Sequence, residues 1–101
     1  MGLLQKKTGG GETTLVREMV VLNKLGLHAR PAAMFVRVAN QFPCEINVEK
    51  DNEEVNGKSI MGLMMLAAGC GSQLKVSVNG EKAAEALDAI EALIKRKFDE
   101  E

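Results

Sequence analysis

Two hydrophobic periods alternate along this chain, and their order limits the folds open to it. Residues 16–22, 45–50 and 74–78 read as strands. The first is rich in Val; the others alternate polar residues with Ile46 and Val48, or with Leu74, Val76 and Val78. Residues 54–56 supply a short return strand after the turn chemistry of Asp51-Asn52-Glu53. Three stretches carry the helical period instead. Over residues 29–41, Ala32, Phe35, Val36 and Ala39 share one side, with Arg37 and Asn40 opposite. A second helix is predicted over residues 60–68, from the N-cap candidate Ser59 to the stops Gly69 and Gly71. A third is predicted over residues 81–98, with Ala83, Leu87, Ile90 and Ile94 as its apolar stripe after the Asn79-Gly80 turn. The order is β-α-β-β-α-β-α. A strand that alternates can bury only one face, so the sheet is covered by helices on one side, giving an α+β two-layer sandwich.

With 101 residues the chain makes one small domain. Residues 1–14, with glycine at 9, 10 and 11, read as a flexible extension, and residues 15–101 as the domain. Aromatic content of 3%, all Phe, leaves the core mainly to Leu, Ile, Val, Met and Ala. Net charge is −1 and there is no basic stripe, which argues against nucleic acid as a partner. One histidine and the distant Cys44 and Cys70 make a poor ligand set, so no metal or other cofactor is expected. The cysteines read as free thiols of a reducing cytosol. No stretch approaches a membrane span or a signal peptide, and Lys6 stands where a myristoylation signal needs Ser or Thr. A cytoplasmic protein without membrane attachment is expected.

The functional signal is Gly26-Leu27-His28-Ala29-Arg30-Pro31-Ala32-Ala33. Gly26 permits a tight turn and Pro31 suits the first turn of a helix. His28, the only histidine, therefore falls at a helix N-terminus, where unpartnered N–H groups and the helix dipole favour an anion. An ordinary imidazole is a nucleophile near neutral pH. Arg30 is mildly misplaced against the dipole unless an anion visits, and its guanidinium can clamp a phosphate with two hydrogen bonds.

The segment GLHARPAAMFVRVANQF (residues 26–42), followed by GKSIMGLMMLAAGCGSQLKV (residues 57–76), resembles the histidine-containing phosphocarrier (HPr) family of the bacterial phosphoenolpyruvate-dependent phosphotransferase system. The likeness runs from about residue 16 to residue 94. It implies an open-faced sandwich with a four-stranded antiparallel sheet and three helices. It also implies that His28 takes a phosphoryl group on Nδ1 from enzyme I, near the amides of Ala29 and Arg30, and passes it to enzyme IIA-type acceptors. The protein is then a phosphoryl-transfer intermediate and not an enzyme with its own substrate pocket. Ser59, flanked by Gly57-Lys58 and Ile60-Met61-Gly62, resembles the serine that an HPr kinase/phosphorylase modifies in some bacteria. Phosphate there would add negative charge to the docking face.

In the second helix Ile60, Met61, Leu63, Met64, Met65 and Leu66 are all large and apolar, more than a one-sided sandwich can bury. The resemblance points to Ile60, Met61 and Met64 as the exposed docking part, leaving Leu63 and Leu66 to the core. Gly57-Lys58-Ser59 is no P-loop, because Asn52 stands where the motif needs glycine. The acidic run 49–54 reads as a solvated hairpin, and Cys44 and Cys70 have no assigned role. Two other readings keep the family: a carrier of the nitrogen-related branch, and a regulatory binding protein acting through phosphorylated Ser59. A small relay meeting several partners is expected to be a monomer.

Overall fold

Every element of the expected order is present in the computed structural model, which describes residues 14–100. They are β1 (Thr14–Val20), α1 (Ala29–Ala39), β2 (Glu45–Lys50), β3 (Glu53–Asn56), α2 (Ile60–Met65), β4 (Gln73–Asn79) and α3 (Ala83–Lys95). The four strands form one antiparallel sheet in the order β1-β4-β2-β3. The last strand is thus inserted between the first two, so the sheet closes only when the chain is nearly complete. A two-residue turn joins β2 to β3. Asp51 and Asn52 both have positive φ (52° and 70°), the geometry that matches strand twist in a tight hairpin.

The alternation in β2 and β4 sends Ile46, Val48, Leu74, Val76 and Val78 into the core, where they meet Ala32, Phe35 and Ala39 of α1 and Leu87, Ile90, Leu93 and Ile94 of α3. Phe35 and Phe98 are fully buried, so two of the three aromatic residues serve the core despite their scarcity. On the other face Glu18, Lys75, Glu49 and Glu54 stand in one cross-strand row. Arg17 bridges β1 to α3 through Asp88 (2.9 Å) and Glu91 (2.8 Å).

Several boundaries differ from expectation; β3 begins at Glu53, β4 spans Gln73–Asn79 and α3 begins at Ala83. β1 covers 14–20 instead of 16–22, because Thr14 pairs with Asn79; the rest of the predicted extension lies outside the described residues. Val21 and Leu22 follow the strand, and Val21 still donates to Ser72 O at 2.9 Å. α1 stops at Ala39 as Gln41 and Phe42 take i→i+3 bonds ahead of Pro43. α2 stops at Met65, three residues early, because Ala67 turns left-handed (φ 51°) and Ala68 O then receives Leu27 N–H at 2.8 Å. α3 ends at Lys95, and Lys97, Phe98 and Asp99 follow with φ of 57°, 55° and 60°. No helix among the described residues is long and apolar enough to cross a membrane.

Candidate phosphoryl-acceptor site

The loop between β1 and α1 is closed by its own backbone. Gly26 N–H donates to Asn23 O (3.2 Å), His28 N–H to Gly26 O (2.9 Å), and Leu27 N–H reaches across to Ala68 O. Only glycine fits at 26. Its φ is +73°, and a Cβ would stand 2.4 Å from Ala68 O. This tie fixes the loop against the segment that leaves α2, and it presents His28 as the N-cap of α1.

His28 has extended backbone (φ −79°, ψ −170°), and its side chain makes no capping hydrogen bond. The ordinary structural use of a polar N-cap residue is therefore absent. Pro31 lacks an N–H, and Ala32 N–H makes the first helical bond, to His28 O at 2.9 Å. The amides of Ala29 and Arg30 precede it, and the first turn contains no acidic residue. These features leave a positive helix end beside a half-exposed imidazole. Arg30 is exposed in the same turn.

The ring is engaged from elsewhere: His28 Nε2 lies 2.9 Å from Glu100 Oε2, across 72 positions of sequence. The other oxygen of Glu100 accepts from Asn23 Nδ2 at 3.0 Å, and the same amide donates to Gly26 O at 2.8 Å. Asn23 is completely buried, and among the described residues its Oδ1 has no partner. The Asn23 amide, then the hydrogen bond and charge of His28, then the charge of Arg30 hold the Glu100 carboxyl below the usual carboxylate range, against the opposing effect of burial. Neither Asn23 nor Glu100 was legible as a site residue. Asn23 carries an ordinary turn signature, and no local spacing connects Glu100 to His28.

Ile60, Met61 and Met64 lie on α2, which packs against α1, and Ser59 immediately precedes it. Ser59 caps α2, its Oγ accepting from Gly62 N–H at 3.0 Å. Ile60, Met61, Met64 and Met65 are exposed along one side, while Leu63 and Leu66 are buried. Met65 extends the exposed set expected from sequence, and Leu25, in the loop before His28, is exposed as well. Cys44 is buried and Cys70 exposed, both as free thiols. Among the described residues no group of three or more His, Cys, Asp or Glu side chains is arranged to hold a metal.

The site thus consists of the chain's only histidine, free of capping, at a helix N-terminus of an open-faced α+β domain. Comparison with known proteins supplies the class. The family model described as "PTS HPr component phosphorylation site" matches residues 15–96. The phosphocarrier protein HPr of Treponema pallidum is 49% identical over 87 residues, which cover 86% of this chain and 99% of that protein. A crystal structure of HPr from Thermoanaerobacter tengcongensis has a TM-score of 0.83 and 48% identity, covering 86% of this chain and 98% of that one. A structure from the same organism, described as an HPr dimer, has a TM-score of 0.69 and 51% identity over 79% of this chain and 92% of its own. The chain belongs to the HPr family of phosphotransferase-system phosphocarriers.

Proposed function

We propose that His28 accepts a phosphoryl group on Nδ1 from phosphorylated enzyme I and passes it to enzyme IIA-type acceptors that serve sugar uptake. One observation carries this reading: His28 sits at the N-cap of α1 with a ring that is half-exposed and does not cap the helix. The amides of Ala29 and Arg30 and the helix dipole favour a phosphate held there, and Arg30 lies close enough in sequence to steady it during transfer. Because a phosphorylated imidazole transfers its group readily, the fold has to position it more than activate it. The exposed Ile60, Met61 and Met64, with Met65 beside them, form an adaptable apolar surface for docking several partners. A carrier in that relay works in the cytoplasm, as a monomer that meets one partner at a time. Ser59 is the candidate site for a regulatory kinase/phosphorylase. A phosphate there is tolerated at the start of α2 and repels the partners that use the α2 surface.

Incubation with enzyme I and labelled phosphoenolpyruvate tests the assignment. Wild-type protein should take up acid-labile label, and His28→Ala should take up none while keeping wild-type circular dichroism. Undiminished labelling of His28→Ala would remove His28 from the relay.

A further inference from the structure

Glu100 reaches His28 by an expensive route. Three consecutive residues without the freedom of glycine, Lys97, Phe98 and Asp99, adopt the left-handed region, which is rare beyond single positions. The turn is held by Asp99 N–H to Arg96 O (2.9 Å), by Glu100 N–H to Lys97 O (2.9 Å) and by the burial of Phe98. Its result is that Glu100 lies against His28 and Asn23, with its side chain 16% exposed against 37% for His28. The buried Asn23 amide supports one carboxylate oxygen, which leaves the other for the imidazole.

An ionised carboxylate can only accept hydrogen bonds. Contact with Glu100 at 2.9 Å therefore requires a proton on Nε2. In the neutral ring that leaves Nδ1 without a proton, and among the described residues Nδ1 has no hydrogen-bond partner. We propose that Glu100 is a positioning residue for phosphoryl transfer: by holding the Nε2 proton it fixes the ring orientation and the tautomer in which Nδ1 is the nucleophile. This rests on the reading of His28 as the phosphoryl acceptor. As transfer proceeds, the Nδ1 lone pair forms the new N–P bond while the donor's bond to phosphorus breaks and its electron pair leaves with the donor. The Nε2 proton stays on the ring, and the positive charge that develops there lies beside the Glu100 carboxylate. Glu100 touches no reacting atom and acts through the ring alone.

Phosphoramidate, a small phosphoryl donor that needs no partner protein, tests this on the full chain, with ³¹P and ¹⁵N NMR of the His28 ring as readouts. In wild type the neutral ring should carry its proton on Nε2, and the product should be the Nδ1 phosphohistidine. Glu100→Ala should move the ¹⁵N shifts toward the tautomer mixture of free imidazole, add Nε2 product, and slow uptake at Nδ1 by roughly three- to tenfold. Glu100→Gln keeps an acceptor oxygen without the charge, and should keep the tautomer and most of the regiochemistry. A merely structural tie at residue 100 would lower stability in Glu100→Ala and leave the product at Nδ1 alone; that outcome overturns the proposal. So does faster uptake by Glu100→Gln than by wild type, which would make the carboxylate a brake. If enzyme I and phosphoenolpyruvate label His28→Ala as well as wild type, the acceptor reading itself fails and the transfer role of Glu100 falls with it. The phosphoramidate products still distinguish that case, because they report the ring alone.

Discussion

At the scale of single residues, the site works by dividing the two nitrogens of one imidazole between two surroundings. Nε2 meets Glu100, which is braced by the buried amide of Asn23. The carboxyl of Glu100 is held below its ordinary value, so the sign of its pH effect is determined. Its contacts contribute stability that is complete above the unfolded-chain value of about 4.3, and that is lost as pH falls through the lower folded-state value. Glu100→Gln should therefore be less stable than wild type at neutral pH, and the gap should narrow on acidification through that window. Urea unfolding at a series of pH values measures this, and a gap independent of pH would show that the carboxylate charge does not matter. Arg30 belongs to the same scale. A lysine at 30 keeps the charge but loses the planar fork. Arg30→Lys should slow phosphoryl exchange with enzyme I while leaving the unfolding midpoint unchanged, and equal exchange rates would take Arg30 out of the mechanism.

At the scale of elements, α1 and α2 begin in opposite ways. The residue at the start of α1 leaves its cap unmade, which keeps the helix end open to an anion. The residue at the start of α2 makes the bond, Ser59 Oγ accepting from Gly62 N–H. Ser59 therefore has a structural role whether or not it is ever phosphorylated, and two substitutions separate the roles. Ser59→Ala removes the cap and should cost about 1 kcal/mol in denaturant unfolding. Ser59→Asp keeps a good capping group, so stability should hold, while the added charge should slow exchange with enzyme I. Wild-type exchange by Ser59→Asp would count against the regulatory reading. The shortness of α2 is also an element-scale result. Its six residues suffice to bury Leu63 and expose Ile60, Met61, Met64 and Met65, and a longer helix would carry Ala68 away from Leu27.

At the scale of the whole molecule, the sheet order β1-β4-β2-β3 makes the core a single shared space. Phe35 of α1, Leu63 of α2, Val76 of the inner strand β4 and Ile90 of α3 all reach it fully buried. A cavity anywhere in that space is felt by every element. Phe35→Ala should cost about 3–5 kcal/mol, a large share of the roughly 5–15 kcal/mol typical of a domain. It sits on the helix that carries His28, so phosphoryl uptake should fall in step with the folded fraction measured by near-native circular dichroism. Uptake lost while the protein is still fully folded would point to a role for Phe35 in shaping the loop.

The order of elements, the one-sided burial, the helix start at His28 and the cap at Ser59 all followed from sequence, because each depends on period, spacing and the conformational limits of nearby residues; the exposed set of α2 came from the family resemblance, which did not include Met65. The HPr family followed from the resemblance carried by two motifs. What the tertiary structure alone decided is who meets whom at long range. The pairing of Thr14 with Asn79, the early stop of α2 at the Leu27–Ala68 bond, and the left-handed turn that carries Glu100 to His28 each join positions far apart in the chain. Such contacts leave no local pattern, since the physics that selects them is the closure of a shared core. The loop Gly26-Leu27-His28 can be read from its residues as a place for phosphate. Only the fold brings the Glu100 carboxylate to the Nε2 of that histidine.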